Sequence, residues 1–262
     1  ANIKAVSAVC KAHDIPLIFD SARFAENAYF INTREDGYQN KNIKEIVKEM
    51  FSYADGMTMS AKKDAIVNIG GFIALRSLET YRKCATFNIL FEGYLTYGGM
   101  SGRDMDALAA GLMESTEYDY LHARMSQVKY LGDKISALGI PIVKPAGGHA
   151  IYVDAKSMFP QIPQIQYPAQ VLGVALYVEA GVRGVEIGTV LADRDPITRE
   201  ERPPKMELLR LAIPRRVYTN NHMDVVAWGL EQIWAKRDSY KGLKIKYEAP
   251  IMRHFTATFE AL

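Results

Sequence analysis

Short apolar runs alternate with amphipathic stretches in the first part of the chain, and no other feature limits the fold as strongly. Residues 16–19 form a β-prone apolar run that ends at Asp20. Apolar residues at helical spacing predict a helix over 41–53, and 56–59 is a second short strand candidate. Such alternation is typical of α/β folds. Ligands of open α/β sheets bind at the carboxyl ends of the strands, which is where Asp20 lies.

The pattern changes near residue 138, which predicts two domains. Before this point we expect a buried strand over 67–74 and helices over 77–90 and 104–137, the second either one long helix or two helices joined near 114–116. After it the pattern is typical of an α+β module. Its predicted strands lie at 141–143, 150–153, 182–187 and 208–213, and its predicted helices at 168–179 and 222–235. The prediction is the C-terminal part of a large domain over 1–137 and a small α+β domain over 138–262.

Composition excludes several classes of function. Lys and Arg number 32 against 30 Asp and Glu, so the formal net charge is only +2 and we expect no nucleic-acid partner. Two cysteines without metal-ligand spacing favour a reducing, cytoplasmic location and argue against structural zinc. The sequence lacks a long apolar run and a signal peptide, so we expect no membrane partner. It opens without Met directly into helical periodicity, which indicates a piece of a longer protein.

Three residue types in this order suit an enzyme that uses pyridoxal 5'-phosphate (PLP). Asp20 at a strand end could hold a pyridine nitrogen protonated, because an opposite charge favours the charged form. Lys63 could supply the amine for a Schiff base, and the neighbouring cation of Lys62 could lower its pKa. Arg210 on a later strand could clamp a substrate carboxylate through a bidentate contact. Each residue alone also has an ordinary structural interpretation, as a cap or as solvated surface.

Six motifs then make the sequence recognisable. They are DSARFAENA at 20–28, MSAKKD at 59–64, TYGG at 96–99, GGH at 147–149, LRLAIPR at 209–215 and RHFTA at 253–257. Together they closely resemble the tryptophanase and tyrosine phenol-lyase family, and the resemblance covers essentially the whole chain. It implies an α/β fold of the aspartate-aminotransferase-like kind (fold type I), PLP as cofactor, an amino-acid substrate and a carbon–carbon lyase activity.

The resemblance also implies roles for individual residues around the cofactor. Asp20 would partner the pyridine nitrogen and Arg23 would lie near the phenolic oxygen. Ser60 and Lys62 would surround the phosphate, and Lys63 would be the Schiff-base lysine. Arg210, already singled out, would bind the substrate carboxylate.

A monovalent cation, usually potassium, is a second implied cofactor. Tyr97 and the backbone of Asn68 match positions that help to hold it near a subunit boundary in this family. Tyr97 also has a simpler interpretation, as an aromatic residue packed in a turn. His149 fits a structural role as well as an active-site role.

The resemblance favours tryptophan as the substrate. Phenol-lyases are expected to carry Arg where this chain has Ile187 and Phe where it has His254. Ile187 cannot bind a phenol oxygen, whereas Val185 and Ile187 offer an apolar wall for indole, and His254 could contact that ring or help to protonate it. Loss of a hydrogen-bonding group changes discrimination more than reshaping an apolar wall does. Asn68 and Arg216 are closer to the phenol-lyase branch, so tyrosine phenol-lyase is the alternative.

Part of the implied active site is missing from the chain. The family's phosphate-cradling loop, the aromatic that stacks on the cofactor and a further tyrosine all match positions upstream of Ala1. We therefore expect a companion N-terminal chain or segment, within a homo-oligomer, since relatives are tetramers built from dimers. The expected reaction is elimination of indole from L-tryptophan, with pyruvate and ammonia as the other products. The alternative of another class is a non-catalytic fragment or assembly subunit that binds no cofactor.

Overall fold

The computed structural model describes residues 1–262, which divide into two compact units, Ala1–Arg124 and Met125–Leu262. The division falls inside one helix, Tyr118–Ala137. The second half of this helix buries Val128, Leu131 and Ile135 in the core of the second unit. The sequence prediction of a boundary near residue 138 lies at the end of the same helix.

The first unit combines a small sheet with helices. Its elements are α1 (Asn2–Ala12), β1 (Ile18–Asp20), α2 (Phe24–Arg34), α3 (Ile43–Ser52), β2 (Gly56–Ser60), β3 (Gly71–Leu75), α4 (Leu78–Phe91), α5 (Gly102–Glu114) and the start of α6 (Tyr118–Ala137). The strand order is β1-β2-β3. β1 runs parallel to β2, and β3 runs antiparallel to it.

Local sequence explains α3 well. The Asn42 side chain accepts a hydrogen bond from the Glu45 amide, and the Glu45 side chain accepts one from the Asn42 amide, so the helix begins with a capping box. Ile43, Ile46 and Met50 are its buried residues, at the spacing of one helical face. The predicted helix over 41–53 is therefore confirmed.

The second unit is a helix-covered antiparallel sheet with a separate hairpin. Its elements are β4 (Ala150–Asp154), α7 (Ala155–Met158), α8 (Pro168–Ala180), β5 (Val185–Ile187), α9 (Thr189–Ala192), β6 (Leu208–Ala212), α10 (Asn220–Ala235), β7 (Leu243–Tyr247), α11 (Arg253–Thr256) and β8 (Thr258–Ala261). The strand order is β4-β6-β5, with all pairs antiparallel, and β7 pairs with β8. None of the helices in either unit is both long enough and apolar enough to cross a bilayer.

The core of the second unit is continuous. α8 and α10 approach closely because α10 has glycine where they meet: a Cβ on Gly229 would lie 2.6 Å from the Ala180 Cβ. Leu172 and Leu176 on α8, with Leu230 on α10, are fully buried in this core. The predicted helices over 168–179 and 222–235 and the strands at 150–153 and 208–213 are confirmed.

Three predicted strands are shorter than expected. β5 spans only Val185–Ile187 of the predicted 182–187. β3 begins only at Gly71, because the chain bends at residues 68–69 and Gly70 has a φ of +102°. None of the residues of β3 is buried, so the prediction of a buried strand over 67–74 is wrong in this respect. Residues 141–143 make only one isolated bridge, between Ile142 and Val153. For β3, the reason is that glycine at position 70 permits the left-handed conformation, in which a strand cannot continue. α2 and the β7–β8 hairpin were not predicted from the sequence.

Candidate active site

The first unit brings five of the predicted site residues to one edge of its sheet. β1 and β2 are parallel, with Asp20 in register with Thr58, so the carboxyl ends of both strands face the same side. Asp20 ends β1, and Ser60 ends β2. Ser21 N donates to Thr58 O at 2.8 Å and continues the pairing into the following turn. This is the edge at which open α/β sheets bind their ligands.

The loop after β2 carries the two lysines. Ala61 N donates to Gly70 O at 3.0 Å and closes the loop, while Lys63 N donates to Ser60 O at 3.4 Å and folds it into a turn. Lys62 is exposed, whereas Lys63 is half-buried. The turn therefore presents the two lysines differently and keeps Lys63 partly shielded from water.

Asp64 fixes this loop against the turn after Asp20. Its side chain is buried, and its Oδ2 accepts hydrogen bonds from Ala25 N at 2.7 Å and Glu26 N at 3.2 Å. Its own amide donates to Ala22 O at 3.2 Å. A carboxylate satisfies the free amides at a helix N-terminus and interacts favourably with the helix dipole. Asp64 belongs to the MSAKKD motif at 59–64, but no role was predicted for it, because its partners lie on another part of the chain.

Arg23 and Ser21 leave polar atoms without partners at this edge. Arg23 Nε and Ser21 Oγ are buried, and neither has a hydrogen-bond partner. Buried donors are normally paired, so each is a position where a bound group could supply the missing acceptor. The ring, oxygen and phosphate of PLP fit the groups found here. These groups are a carboxylate at a strand end, an unpaired guanidinium nitrogen, a serine and two lysines. Asp20, Arg23, Ser60, Lys62 and Lys63 are the residues that could hold it.

The loops carrying Asn68 and Tyr97 lie next to each other. A Cβ on Gly70 would lie 2.5 Å from Met100 Cε, and Met100 N donates to Tyr97 O at 2.9 Å. The Tyr97 ring is exposed and stacks on Tyr94, with ring centroids 6.3 Å apart. The two loops therefore lie side by side, and the predicted cation site stays a prediction.

In the second unit, Arg210 lies on the central strand of the sheet. Tyr152 on β4 and Val185 on β5 are both in register with it, and Ile187 is in register with Leu208 two positions earlier. Residues that alternate along a strand share a face, so Val185, Ile187 and Arg210 lie on one side of the sheet. Arg210 Nε is buried and without a hydrogen-bond partner. A cation that could clamp a carboxylate therefore lies beside an apolar wall.

His254 lies close to a buried carboxyl group that was not predicted from the sequence. His254 Nδ1 is 3.4 Å from Glu186 Oε2, and only 2% of the Glu186 side chain is exposed. Burial, with nearby Glu207 as a further cause, raises the pKa of Glu186 to about 7. Burial, and then the positive charge of Arg210, lowers the pKa of His254. Both shifts favour the uncharged forms, and His254 Nδ1 is buried without a hydrogen-bond partner.

The fold of the chain matches that of solved structures. Solved structures of similar fold include a variant of SPT with PLP, with a TM-score of 0.60 and 16% identity over 90% of this chain and 52% of that one. Another is serine palmitoyltransferase from Sphingomonas wittichii, with a TM-score of 0.58 and 15% identity over 90% of this chain and 51% of that one. The α/β fold is that of fold type I PLP enzymes, as the sequence predicted.

The particular family follows from sequence comparison. The beta-eliminating lyase family matches residues 1–228, and the chain belongs to this family. The predicted resemblance is thereby confirmed.

The chain spans little more than half the length of the curated relatives it matches. A probable beta-eliminating lyase from Trichomonas vaginalis is 59% identical over 100% of this chain and 57% of its own length. A tryptophanase from Salinibacter ruber is 56% identical over 98% of this chain and 54% of its own length. A tyrosine phenol-lyase from Symbiobacterium thermophilum is 52% identical over 100% of this chain and 57% of its own length. The relatives carry both names, so they do not separate tryptophan from tyrosine as substrate.

Proposed function

We propose that this chain is the C-terminal part of a PLP-dependent lyase that eliminates indole from L-tryptophan, with pyruvate and ammonia as the other products. The observation that carries the proposal is the sheet edge where Asp20, Ser60 and Lys63 meet beside the unpaired Arg23 Nε. Membership of the beta-eliminating lyase family supports the reaction class.

PLP, when bound, supplies an electron sink for the bonds of the substrate's α-carbon. The chain's own residues then have separate tasks. Asp20 would hold the proton on the ring nitrogen, and Lys63 Nζ would move the α-proton from its half-buried position. Arg210 would hold the substrate carboxylate and thereby set which bond of the α-carbon is broken.

The apolar face of the second unit supports tryptophan over tyrosine. Val185 and Ile187 offer no hydrogen-bond donor to a phenol oxygen, whereas they can contact a fused aromatic ring. His254, with Glu186 3.4 Å away, is suited to deliver a proton to the departing indole. Tyrosine phenol-lyase is the second candidate, because relatives of that name are 52% identical to the chain.

The activity requires further polypeptide in this proposal. The chain matches only 54–57% of the length of its relatives. α4 buries none of its residues, and Leu90 and Phe91 are 71% and 72% exposed. Apolar surface of this kind marks an interaction site. We infer that an N-terminal companion segment and further copies of the chain cover it, and that potassium binds near Asn68 and Tyr97.

The test is cofactor binding followed by indole release. The chain is purified alone and together with a co-produced segment equivalent to the N-terminal part of a relative, and PLP and potassium are added. We expect visible absorbance of bound PLP and release of indole in the combined sample. Lys63→Ala should abolish both, whereas Lys62→Ala, the matched control, should weaken binding and preserve the visible band.

Two outcomes would contradict the proposal. Phenol released from tyrosine, with no indole from tryptophan, would favour the second candidate. A combined sample that binds no PLP would instead support a non-catalytic assembly subunit.

A further inference from the structure

Arg253 is a completely buried cation immediately before His254. Its side chain is 0% exposed, and it begins α11, which has only four residues. Its neighbours Met252 and Phe255 are 61% and 75% exposed. A helix this short has no stability of its own. Arg253 is therefore the buried anchor of the segment that carries His254.

Three carboxylates surround the Arg253 guanidinium. Nη2 and Nη1 donate to the two oxygens of Glu201 at 2.8 and 3.0 Å. Nη1 also donates to Glu248 Oε2 at 3.4 Å, and Asp193 Oδ1 lies 3.7 Å from Nε. A planar guanidinium meets a carboxylate through two parallel bonds, which a lysine cannot reproduce. The contact fixes orientation as well as charge.

Arg253 and Glu186 both bind the backbone of the short helix α9, Arg253 through carbonyl groups and Glu186 through amide groups. Arg253 Nε donates to Val190 O at 3.1 Å, and Nη2 donates to Thr189 O. Glu186 accepts from Val190 N at 3.1 Å and from Leu191 N at 2.9 Å. Helix α9 is thus fastened to Arg253 by its carbonyls and to Glu186 by its amides.

This arrangement determines where the imidazole lies. His254 follows Arg253 in the chain, and Glu186 lies 3.4 Å from its Nδ1. A displacement of the guanidinium would move α11 relative to α9, and the distance between His254 and Glu186 would change with it. Arg253 thus binds α9, α9 binds Glu186, and Glu186 lies beside His254, which follows Arg253 in the chain.

We propose that Arg253 is a positioning residue for His254, which holds the imidazole where it can pass a proton to the leaving ring. The inference rests on the proposed function of His254. Arg253 itself touches neither the substrate nor the cofactor in this role, because its donors are occupied by α9 and the carboxylates.

Arg194 offers a matched control. It binds two of the three carboxylates around Arg253, with Nε 2.5 Å from Glu248 Oε1 and Nη2 3.2 Å from Glu201 Oε1. It is not adjacent to His254 in the chain. Arg194→Lys therefore perturbs the same ion network without releasing α11. Arg253→Lys keeps the positive charge but loses the bidentate contact of the guanidinium with Glu201. It is less disruptive than a substitution that removes the charge.

The experiment compares two substrates in the assembled enzyme. Tryptophan needs a proton on its ring before indole leaves, whereas an S-alkylcysteine loses a thiolate that needs none. We expect Arg253→Lys to lower kcat for tryptophan by roughly tenfold to a hundredfold, because misplacing the imidazole should remove only part of the roughly 10²–10⁴-fold that general acid catalysis contributes. The S-alkylcysteine rate should change by less than about twofold, and Arg194→Lys should affect both substrates equally and weakly.

A second readout needs neither cofactor nor activity. Histidine proton resonances of the full chain report the titration of His254, assigned with His254→Gln. In Arg253→Lys the pKa of His254 should move from its lowered value towards that of a free histidine, because the segment gains contact with water. An unchanged titration, or an equal loss of rate with both substrates, would overturn the inference. Wild-type enzyme inactive on both substrates would instead overturn the proposed function.

Discussion

Replacing Glu186 with glutamine tests whether its carboxyl group is held uncharged by the fold. Burial raises the pKa of Glu186 from an ordinary value of 4.5 to about 7. A group whose pKa is higher in the folded state stabilises the protein when protonated, and this contribution is lost as the pH rises through the folded pKa. The wild-type protein therefore loses this contribution to its stability as the pH rises from about 4.5 to above about 7. Glutamine has no proton to lose and is nearly the same shape.

The size of the effect follows from the shift. A displacement of about 2.5 pKa units corresponds to about 3 kcal/mol across the full range. Between about pH 5 and about pH 8.5, roughly 2.5 kcal/mol of it should be visible. Glutamine offers only one oxygen where Glu186 accepts from both Val190 N and Leu191 N, so we expect Glu186→Gln to be about 1–2 kcal/mol less stable than wild type at the lower pH. Relative to wild type it should then gain roughly 2.5 kcal/mol between the two pH values.

Urea unfolding followed by tryptophan fluorescence is a suitable assay. The chain's two tryptophans, Trp228 and Trp234, both lie on α10 and so report on the second unit. Glu260→Gln, at a side chain that is 50% exposed on β8, is the control and should change stability by less than about 0.5 kcal/mol at either pH. A stability difference between Glu186→Gln and wild type that is the same at both pH values would refute the reasoning.

The remaining predictions concern packing and specificity. Asp64→Ala should destabilise the first unit by about 2 kcal/mol, because two helix amides lose their acceptor, and amide exchange in α2 should accelerate. Gly188→Ala would place a Cβ 2.4 Å from Glu207 Oε2, and we expect urea unfolding to show a loss of at least about 2 kcal/mol. Gly147→Ala, whose Cβ would meet nothing within 4 Å, should lose less than about 0.5 kcal/mol. Ile187→Arg should raise the ratio of kcat/KM for tyrosine over tryptophan by at least about a hundredfold, and steady-state kinetics on both substrates will measure it.

Local signals predicted the elements whose stabilising contacts lie within a few residues. α3 has its cap and its buried face in one stretch of sequence, and the edge position of Asp20 follows from the run that precedes it. α2 was missed because its N-cap, Arg23, makes no side-chain cap bond. The acceptor for its first amides is Asp64, 39 residues away from Ala25. A cap supplied by a residue so distant in the chain cannot be recognised from the sequence of the helix itself.

The same distinction applies to the candidate site. The family motifs named Lys63, Arg210 and His254, since each stands in a recognisable run. Glu186 was overlooked because it follows Val185 in a short strand, where alternation gives no reason to expect an inward carboxyl group. Its role depends on α9 and α11, which the chain brings to it only after folding. The predictions of catalytic roles stay predictions.

The absence of buried side chains in α4 has a consequence for local unfolding of the chain. None of its side chains is buried, so within this unit its backbone hydrogen bonds gain little from tertiary packing. Segments of this kind open at low free energy, and their amides exchange with solvent long before the core does. Contact with another polypeptide would suppress that opening. Deuterium uptake along residues 78–91 thus measures how completely the helix is covered in any preparation, whether or not it turns over a substrate.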